Sequence, residues 1–166
     1  MYMQLPIQTY LQDLHRQLAD HNAGEVASYI PELRKANPDG FGICIVTMDG
    51  VAYSVGYAEQ PFTFQSISKA FVYANALADH WKDAVAAKVG VEPSGDAFNS
   101  INLNPQTNTP FNPMINVGAI ATTSLVEGAN PVAQWDRISK SLQSFVGHGL
   151  KRLRQPECGW HCATVP

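Results

Sequence analysis

The stretch FTFQSISKAF, residues 62–71, carries the candidate chemistry of this chain and leads into a predicted core helix. It contains a Ser-x-x-Lys motif, Ser66 followed by Lys69. If Ser66 opens the helix predicted downstream, Lys69 lies one turn on, because side chains three or four residues apart are neighbours on a helix. A serine hydroxyl needs a nearby base to become a nucleophile, and a lysine kept neutral by burial can be that base. The motif therefore predicts a nucleophile and its base, with backbone N–H groups of the helix start available to an oxyanion.

The same motif has a plainer interpretation. Ser66 can be a helix N-cap, with Lys69 as a solvated lysine one turn later. A short motif with two specified positions often arises by chance. The choice between the two interpretations therefore depends on other parts of the chain.

The composition indicates one globular domain. The chain has 166 residues, of which 45% are apolar and 15% charged, and its formal net charge is −3. Such a charge gives no basic footprint for nucleic acid, and so few charges suggest surface buried in a larger fold or an oligomer. The N-terminus lacks a basic start followed by an apolar run, and no stretch approaches the length of a membrane span. We therefore expect a cytoplasmic protein that binds neither membrane nor nucleic acid.

The cysteines do not predict a disulfide framework or a metal site. They number three, at Cys44, Cys158 and Cys162. An odd number at these spacings is not typical of a disulfide scaffold. His161 lies beside Cys162, but two cysteines and one histidine do not make a closed zinc site. We expect no bound metal.

Hydrophobic periodicity predicts a mainly helical chain with one hairpin. The predicted helices cover residues 5–21, 66–80, 81–88, a segment that starts within 112–120 and ends near 127, and 131–146. Two apolar, β-rich runs, 42–48 and 51–57, flank Asp49-Gly50. Asp-Gly between such runs is a strong hairpin signal, for which we expect positive φ at both turn residues. The two strands should be antiparallel neighbours.

A long segment rich in turn formers, residues 91–112, separates the helices. Long loops in compact domains are usually either functional or disordered, so this one is an ordered site loop or a flexible linker. Four apolar side chains can anchor it to a core: Phe98, Ile101, Leu103 and Phe111. Just beyond it, Asn116 lies near the start of a helix, where a primary amide can cap the helix or bind a ligand.

Three segments together resemble the serine-dependent glutaminases. These are FQSISK at 64–69, VGVEPSGDAFNS at 89–100 and NPMINVGAI at 112–120, in the family's order and with similar spacing. The resemblance covers about residues 5–146. It implies an α+β fold: an incomplete domain like those of β-lactamases and transpeptidases, with an antiparallel hairpin packed against helices.

The resemblance also implies an activity and assigns roles to residues. It implies hydrolysis of L-glutamine to L-glutamate and ammonia through a serine acyl-enzyme, with no cofactor. Ser66 is then the nucleophile and also contacts substrate, Lys69 relays the proton, and Asn116 hydrogen-bonds the glutamine. A complete family member would form a homo-oligomer, a dimer or tetramer.

The last residues do not share the resemblance. We expect residues 1–148 to be the N-terminal portion of a glutaminase domain, and residues 149–166 to be an unmatched tail with the character of a frameshift or truncation. Family members are roughly twice as long as this chain and carry further catalytic and binding residues downstream. We therefore hypothesise that this chain alone lacks a complete active site.

Two other interpretations remain open. A penicillin-interactive serine hydrolase uses the same Ser-x-x-Lys logic and adds a Tyr-x-Asn and a Lys-[Thr/Ser]-Gly element. Tyr73-Ala74-Asn75 fits the first of these by letter, but it is predicted on the helix of Ser66, and Lys88-Val89-Gly90 falls at a helix end. The non-enzyme interpretation is an inactive glutaminase-like fragment with an unsatisfied sheet edge.

Overall fold

The computed structural model describes residues 6–31, 33–146, 151–152 and 163–165. The chain forms two compact units, one ending at Thr63 and the other beginning at Phe64. Of the helices within these described ranges, none combines the length and the apolar character that crossing a bilayer requires.

The first unit packs one helix against one hairpin. Helix α1 spans Pro6–Leu18, strand β1 spans Gly42–Val46 and strand β2 spans Ala52–Gly56. The amphipathic helix buries Leu11 completely and packs on both strands. The predicted helix over 5–21 is thus confirmed, although it ends three residues earlier. A two-residue strand, β3 (Phe62–Thr63), closes this unit.

The hairpin is antiparallel, as predicted, but its turn differs from the expected one. The register pairs Val46 with Ala52 and Gly42 with Gly56. Gly50 has a φ of 82°, whereas Asp49 does not adopt positive φ. The N–H of Gly50 instead donates to Thr47 O at 2.9 Å, which makes a four-residue turn with one left-handed glycine at its end. The expectation of positive φ at both positions was therefore wrong, because a type I turn followed by a left-handed residue needs glycine only once.

The described residues of the second unit form four α-helices. They are α2 (Ser68–Asp79), α3 (Lys82–Ala86), α4 (Asn116–Leu125) and α5 (Pro131–Val146). Helix α2 packs against both α4 and α5 and buries Val72 and Ala76. The prediction that α2 is a core helix is confirmed. Its start is corrected: α2 begins at Ser68, and Ser66 lies in a 3₁₀ turn, Gln65–Ile67, just before it.

The core of this unit is apolar and combines residues of α2 and α5 with two residues that lie just outside helices. Its buried members are Phe64, Val72, Val126, Ile138 and Leu142. Phe71 packs at the edge of this cluster, with its ring 5.6 Å from that of Phe64 and 4.7 Å from that of Phe145. This cluster fixes the start of α2, because Phe64 anchors the chain two residues before Ser66.

Polar contacts position α5 beside α2 and α4. The nearly buried Asp79 carboxylate accepts from both Arg137 on α5 and the N–H of Glu127. Gln134 donates to the carbonyls of Thr123 and Val126 at the end of α4, and the Thr123 carbonyl also accepts from the N–H of Val126. These bonds hold the three helices in one arrangement.

The long loop, 91–112, is ordered by main-chain contacts rather than by its apolar side chains. Gly90 N donates to Pro110 O at 2.9 Å, and Glu92 N donates to Phe111 O at 3.0 Å. The Asn112 amide donates to Glu92 O at 2.9 Å. Phe98, Ile101 and Leu103 are exposed, so the expected apolar anchoring was wrong for these three, and Phe111 is half-buried. Hydrogen bonds can order the loop because its two ends lie side by side.

The tail contains a short strand pair. Strand β4, Lys151–Arg152, pairs antiparallel with β5, Ala163–Val165. The predicted tail of 149–166 is otherwise outside the described residues. So are Cys158, His161 and Cys162.

Candidate active site

Ser66 is presented by a strained turn at the start of α2. Gln65, the residue before it, has a φ of 44°, in the left-handed region that a side chain rarely adopts. Ser68 Oγ donates to Gln65 O at 2.7 Å and closes this turn. Ser66 is exposed. A bend of this kind turns the serine side chain outward, as a nucleophile requires.

Ser66 and Lys69 share one face of a continuous helical segment. Ile67 and Ser68, between them, both have right-handed helical φ and ψ. A spacing of three residues over such a segment places the two side chains next to each other. Within the described part of the chain, Ser66 and Lys69 are not hydrogen-bonded to each other.

Lys69 is held by two acceptors from a different element. Its Nζ donates to Met114 O at 2.9 Å and to Asn116 Oδ1 at 2.8 Å. Nζ also lies 5.7 Å from the centre of the Phe98 ring, within cation–π range. Burial lowers the pKa of Lys69, because it penalises the charged ammonium. A neutral amine has two hydrogens, which the two acceptors can take, and its lone pair then remains for the proton of Ser66.

Asn116 does not cap its helix. The N-cap residue of α4 is Ile115, and no side chain caps it. The Asn116 side chain instead turns to Lys69, and its own N–H donates to Phe98 O at 2.8 Å. Asn112 supports the same segment by accepting from the N–H groups of Met114 and Ile115. Of the two interpretations of Asn116, the capping one is therefore wrong.

The sequence predicted Ser66, Lys69 and Asn116 as residues of one site, but it did not predict all of the groups that lie around them. The Met114 carbonyl gives no sequence signal, because every residue has one. Phe98 stood out as an apolar loop residue, yet 64% of it is exposed and it faces Lys69 rather than a core. The left-handed Gln65 was also missed, since glutamine carries no propensity for that conformation.

The elements of a penicillin-interactive site are not assembled here. Tyr73 and Asn75 lie on α2 itself, and Asn75 Oδ1 accepts from Ser141 on α5 at 2.7 Å. Val89 is buried, and Lys88-Val89-Gly90 follows α3 rather than forming a strand. Neither segment provides a separate wall for the Ser66 site.

The strained backbone conformation of Gln65 can be tested by substitution. Replacing Gln65 by glycine removes the Cβ that disfavours positive φ, whereas alanine keeps it. We expect the free energy of unfolding of the Gln65→Gly variant to be about 1 kcal/mol larger than that of the Gln65→Ala variant. Urea unfolding of the two variants measures the difference, and the alanine variant controls for the lost side chain. A more stable alanine variant would contradict the strained turn.

Comparison with known proteins identifies a matching family. The family model described as Glutaminase matches residues 24–155. A curated relative, the glutaminase of Trichormus variabilis, is 52% identical over 145 residues, covering 87% of this chain and 43% of the relative.

Solved structures give the same result at the level of the fold. The crystal structure of Mglu in its glutamate form has a TM-score of 0.82 and 41% identity, and the match covers 91% of this chain and 35% of that one. The structure described as probable glutaminase ybaS has a TM-score of 0.84 and 36% identity, with coverages of 89% and 48%. The predicted β-lactamase-like α+β fold is thus confirmed, and the chain spans less than half the length of each of these proteins.

Proposed function

The chain belongs to the glutaminase family, and from this premise we propose that it carries the nucleophile part of a site that hydrolyses L-glutamine to L-glutamate and ammonia. The observation that carries the proposal is the placement of Lys69 Nζ 2.8 Å from Asn116 Oδ1 and 2.9 Å from Met114 O. Lys69 lies at the end of α2 that follows Ser66. The motif places the serine and the lysine one helical turn apart. Burial also lowers the pKa of that lysine, as a general base requires.

In the proposed reaction, Ser66 and Lys69 act in sequence. The neutral Lys69 amine takes the Ser66 hydroxyl proton while Oγ bonds to the side-chain carboxamide carbon of glutamine. The carbonyl electrons move onto oxygen, and the N–H of Ser66 contributes to an oxyanion hole. When the intermediate collapses, the C–N bond breaks and Lys69 gives its proton to the departing ammonia. A γ-glutamyl ester on Ser66 remains.

Water completes the cycle. Lys69, again neutral, takes a proton from a water molecule that attacks the ester carbonyl. Collapse of the second tetrahedral intermediate breaks the bond to Oγ, which takes the proton back from Lys69. L-Glutamate and free Ser66 result, and neither a metal nor an organic cofactor takes part in any of these steps.

Asn116 is proposed to serve two groups at once. Its Oδ1 accepts from Lys69, and its side chain is exposed, so that Nδ2 can donate to the bound glutamine. The structural neighbour Mglu has been solved in a glutamate form, which supports a ligand of this class. The same amide would then position both the base and the substrate.

We propose that the remaining residues of the site lie in the part of a glutaminase domain that this chain does not span. Residues 1–148 are proposed to be the portion of that domain that supplies Ser66, Lys69 and Asn116, with residues 149–166 as an unmatched tail. We propose that the 166-residue chain alone turns over glutamine poorly, that it acts in the cytoplasm and that a completed domain assembles into a dimer or tetramer. An inactive fragment is the alternative.

Acylation of Ser66 tests the proposed function without requiring full turnover. The purified chain is incubated with the 4-nitrophenyl ester of the L-glutamate side chain, and the Ser66 peptide is examined by mass spectrometry for a γ-glutamyl adduct. We expect the adduct on Ser66, and a matched reaction with a β-lactam to leave Ser66 unlabelled. An adduct with the β-lactam alone would favour the penicillin-interactive hydrolase, and no adduct with either would favour the inactive fragment.

The pH dependence of acylation tests the role of Lys69. The rate should rise with pH through the pKa of Lys69, because only the neutral amine accepts a proton, and burial places this rise below the ordinary value of 10.5. Lys69→Arg should lower the rate by about 100-fold or more and remove this rise, since a guanidinium stays protonated. Stopped-flow release of 4-nitrophenol from the wild-type and variant chains measures both effects.

The matched control for the charge is Lys82→Arg, which makes the same exchange at the start of α3. It should leave the rate and its pH dependence unchanged. A Lys69→Arg variant with a normal rate would exclude Lys69 as the base.

A further inference from the structure

A cavity of about 730 Å³ opens in the second unit, where α2, α5 and the segment after α4 meet. Its volume is in the range typical of small-molecule sites, which combine a cleft with a few placed polar groups. The polar lining includes one amide, two carboxylates and two cations: Asn75, Glu127, Asp136, Arg137 and Lys140. Asn75 lies more than one turn of α2 beyond Lys69, about 9 Å along the helix axis, so the cavity is separate from the candidate active site.

The Asn75 amide brings an unpaired donor to this cavity. Its Oδ1 accepts from the Ser141 hydroxyl at 2.7 Å. Its Nδ2 is a buried atom and has no hydrogen-bond partner among the described residues. Buried polar atoms in native proteins nearly always have a partner, and an unpaired donor destabilises the fold relative to an apolar side chain of the same shape. The unpaired Nδ2 therefore points to an acceptor that enters the cavity.

Two cations on α5 add donors to the same cavity. Arg137 and Lys140 are three residues apart on the helix, so they lie on one face. The Arg137 guanidinium donates to Asp79 through Nε, at 3.0 Å, and through Nη2, and its other N–H groups remain available. Lys140 is exposed, and no described residue bonds to its Nζ. With the Asn75 amide, these groups suit a planar acceptor with two oxygens, which is a carboxylate.

Two carboxylates line the cavity as well. Glu127 and Asp136 are exposed, and neither carboxylate accepts a hydrogen bond or forms an ion pair with a described residue. A purely anionic ligand would be repelled by these two groups, and a purely cationic ligand would be repelled by Arg137 and Lys140. A ligand that carries both a carboxylate and an ammonium group matches the whole lining.

We propose that this cavity binds a free α-amino acid. Its α-carboxylate accepts from Asn75 Nδ2, Arg137 and Lys140. Its α-ammonium pairs with the carboxylate of Glu127 or Asp136. The volume of about 730 Å³ leaves room for a side chain beyond the two charged groups. This inference goes beyond the proposed function, because it involves none of the three residues of the candidate active site.

An NMR titration of the isotope-labelled chain with L-alanine tests the proposal. L-Alanine carries both charged groups but no side-chain carboxamide, so it offers Ser66 nothing to hydrolyse. We expect the side-chain N–H resonances of Asn75 to move downfield and to saturate, because Nδ2 gains an acceptor, while the backbone amides of Ser66 and Lys69 stay in place. No such movement up to about 50 mM L-alanine overturns the proposal. Movement of the Ser66 and Lys69 amides alone would place the amino acid in the candidate active site and overturn it too.

Two half-ligands test the need for both charges. Acetate carries only the carboxylate, and ethylamine carries only the ammonium group. Each should bind about 10-fold or more weakly than L-alanine in the same titration, because each loses one of the two charge-assisted contacts. Acetate or ethylamine that binds as tightly as L-alanine would contradict an amino acid as the ligand.

Matched variants identify the side chains that hold the ligand. Lys140→Gln removes one cation, and Asn75→Leu replaces the amide by an apolar side chain of similar size. Each should raise the Kd for L-alanine by about 10-fold, followed through the backbone amides of α5. Lys82→Gln makes the same charge change on α3, outside the cavity lining, and should leave the Kd unchanged.

The variants also define the results that contradict the site. Undiminished binding in both Lys140→Gln and Asn75→Leu overturns the proposal. Equal losses in Lys140→Gln and Lys82→Gln would show a general charge effect and overturn it as well. If Asn75→Leu does not fold, Lys140→Gln decides alone, because Lys140 is exposed and its loss disturbs little packing.

Discussion

Ser66→Ala is expected to reduce γ-glutamyl adduct formation, and any glutamine turnover, by about 1,000-fold or more. The substitution removes the oxygen that would bond to the carboxamide carbon, and no neighbouring hydroxyl can replace it: Ser68 Oγ is already bonded to Gln65 O at 2.7 Å. The exposed position of Ser66 means that the loss of one oxygen disturbs little packing. Stopped-flow kinetics with the activated ester and an ammonia assay with glutamine measure the two losses.

Ser144→Ala is the matched control for this experiment. Ser144 is an exposed serine on α5 whose hydroxyl donates to Ser141 O of its own helix. Its removal should change the acylation rate by less than about two-fold, since surface substitutions of this type are usually mild. Undiminished acylation of the Ser66→Ala variant would remove Ser66 from the proposed mechanism.

Gly118→Ala is expected to have the largest effect on stability. A Cβ at this position would lie 1.8 Å from Asn112 O and 2.8 Å from the Asn112 carbonyl carbon. Asn112 cannot easily retreat, because its side chain is bonded to Glu92 O and to the N–H groups of Met114 and Ile115. We expect a loss of about 3 kcal/mol in free energy of unfolding, the upper range for overpacking against fixed atoms.

The same substitution should also affect acylation. Helix α4 carries Asn116 two residues before Gly118, so moving the helix away from Asn112 moves one of the two acceptors of Lys69. Urea unfolding followed by tryptophan fluorescence gives the stability, and the activated ester gives the rate. Gly24→Ala is the control, because a Cβ at Gly24 meets no atom within 4 Å. Equal stabilities of the two variants would contradict the close approach at Gly118.

Local patterns in the sequence were sufficient to predict most elements. The 3.6-residue periodicity identified α1 and α5, because each of these helices presents one stripe of apolar side chains. Helix α2 was predicted as a core helix that is apolar on more than one face. The Asp49-Gly50 pair located the hairpin, since Gly50 supplies the left-handed residue of the turn. The boundaries were less accurate: α2 begins at Ser68 rather than Ser66, because the 3₁₀ turn before it has the same local composition as a helix.

The part of the candidate site that could be predicted consists of residues close to one another in the sequence. Ser66 and Lys69 belong to one motif, and their helical spacing brings them to one face whatever the rest of the chain does. Asn116, 47 residues beyond Lys69, came from the resemblance of its segment to the glutaminases, since no local rule relates positions so far apart. The sequence left Asn116 as a helix cap or a ligand-binding amide, and only the structure shows its side chain turned to Lys69.

By itself, the sequence determined the helical stripes, the position of the hairpin and the Ser-x-x-Lys motif, because each depends on residues within a few positions of one another. Tertiary structure alone decided that Met114 O and Asn116 Oδ1 meet the Lys69 amine, that burial lowers its pKa, and that Gly118 must lack a side chain beside Asn112. These features arise where segments distant in sequence pack together. Their energies depend on distances between atoms, which residue types and spacings do not specify.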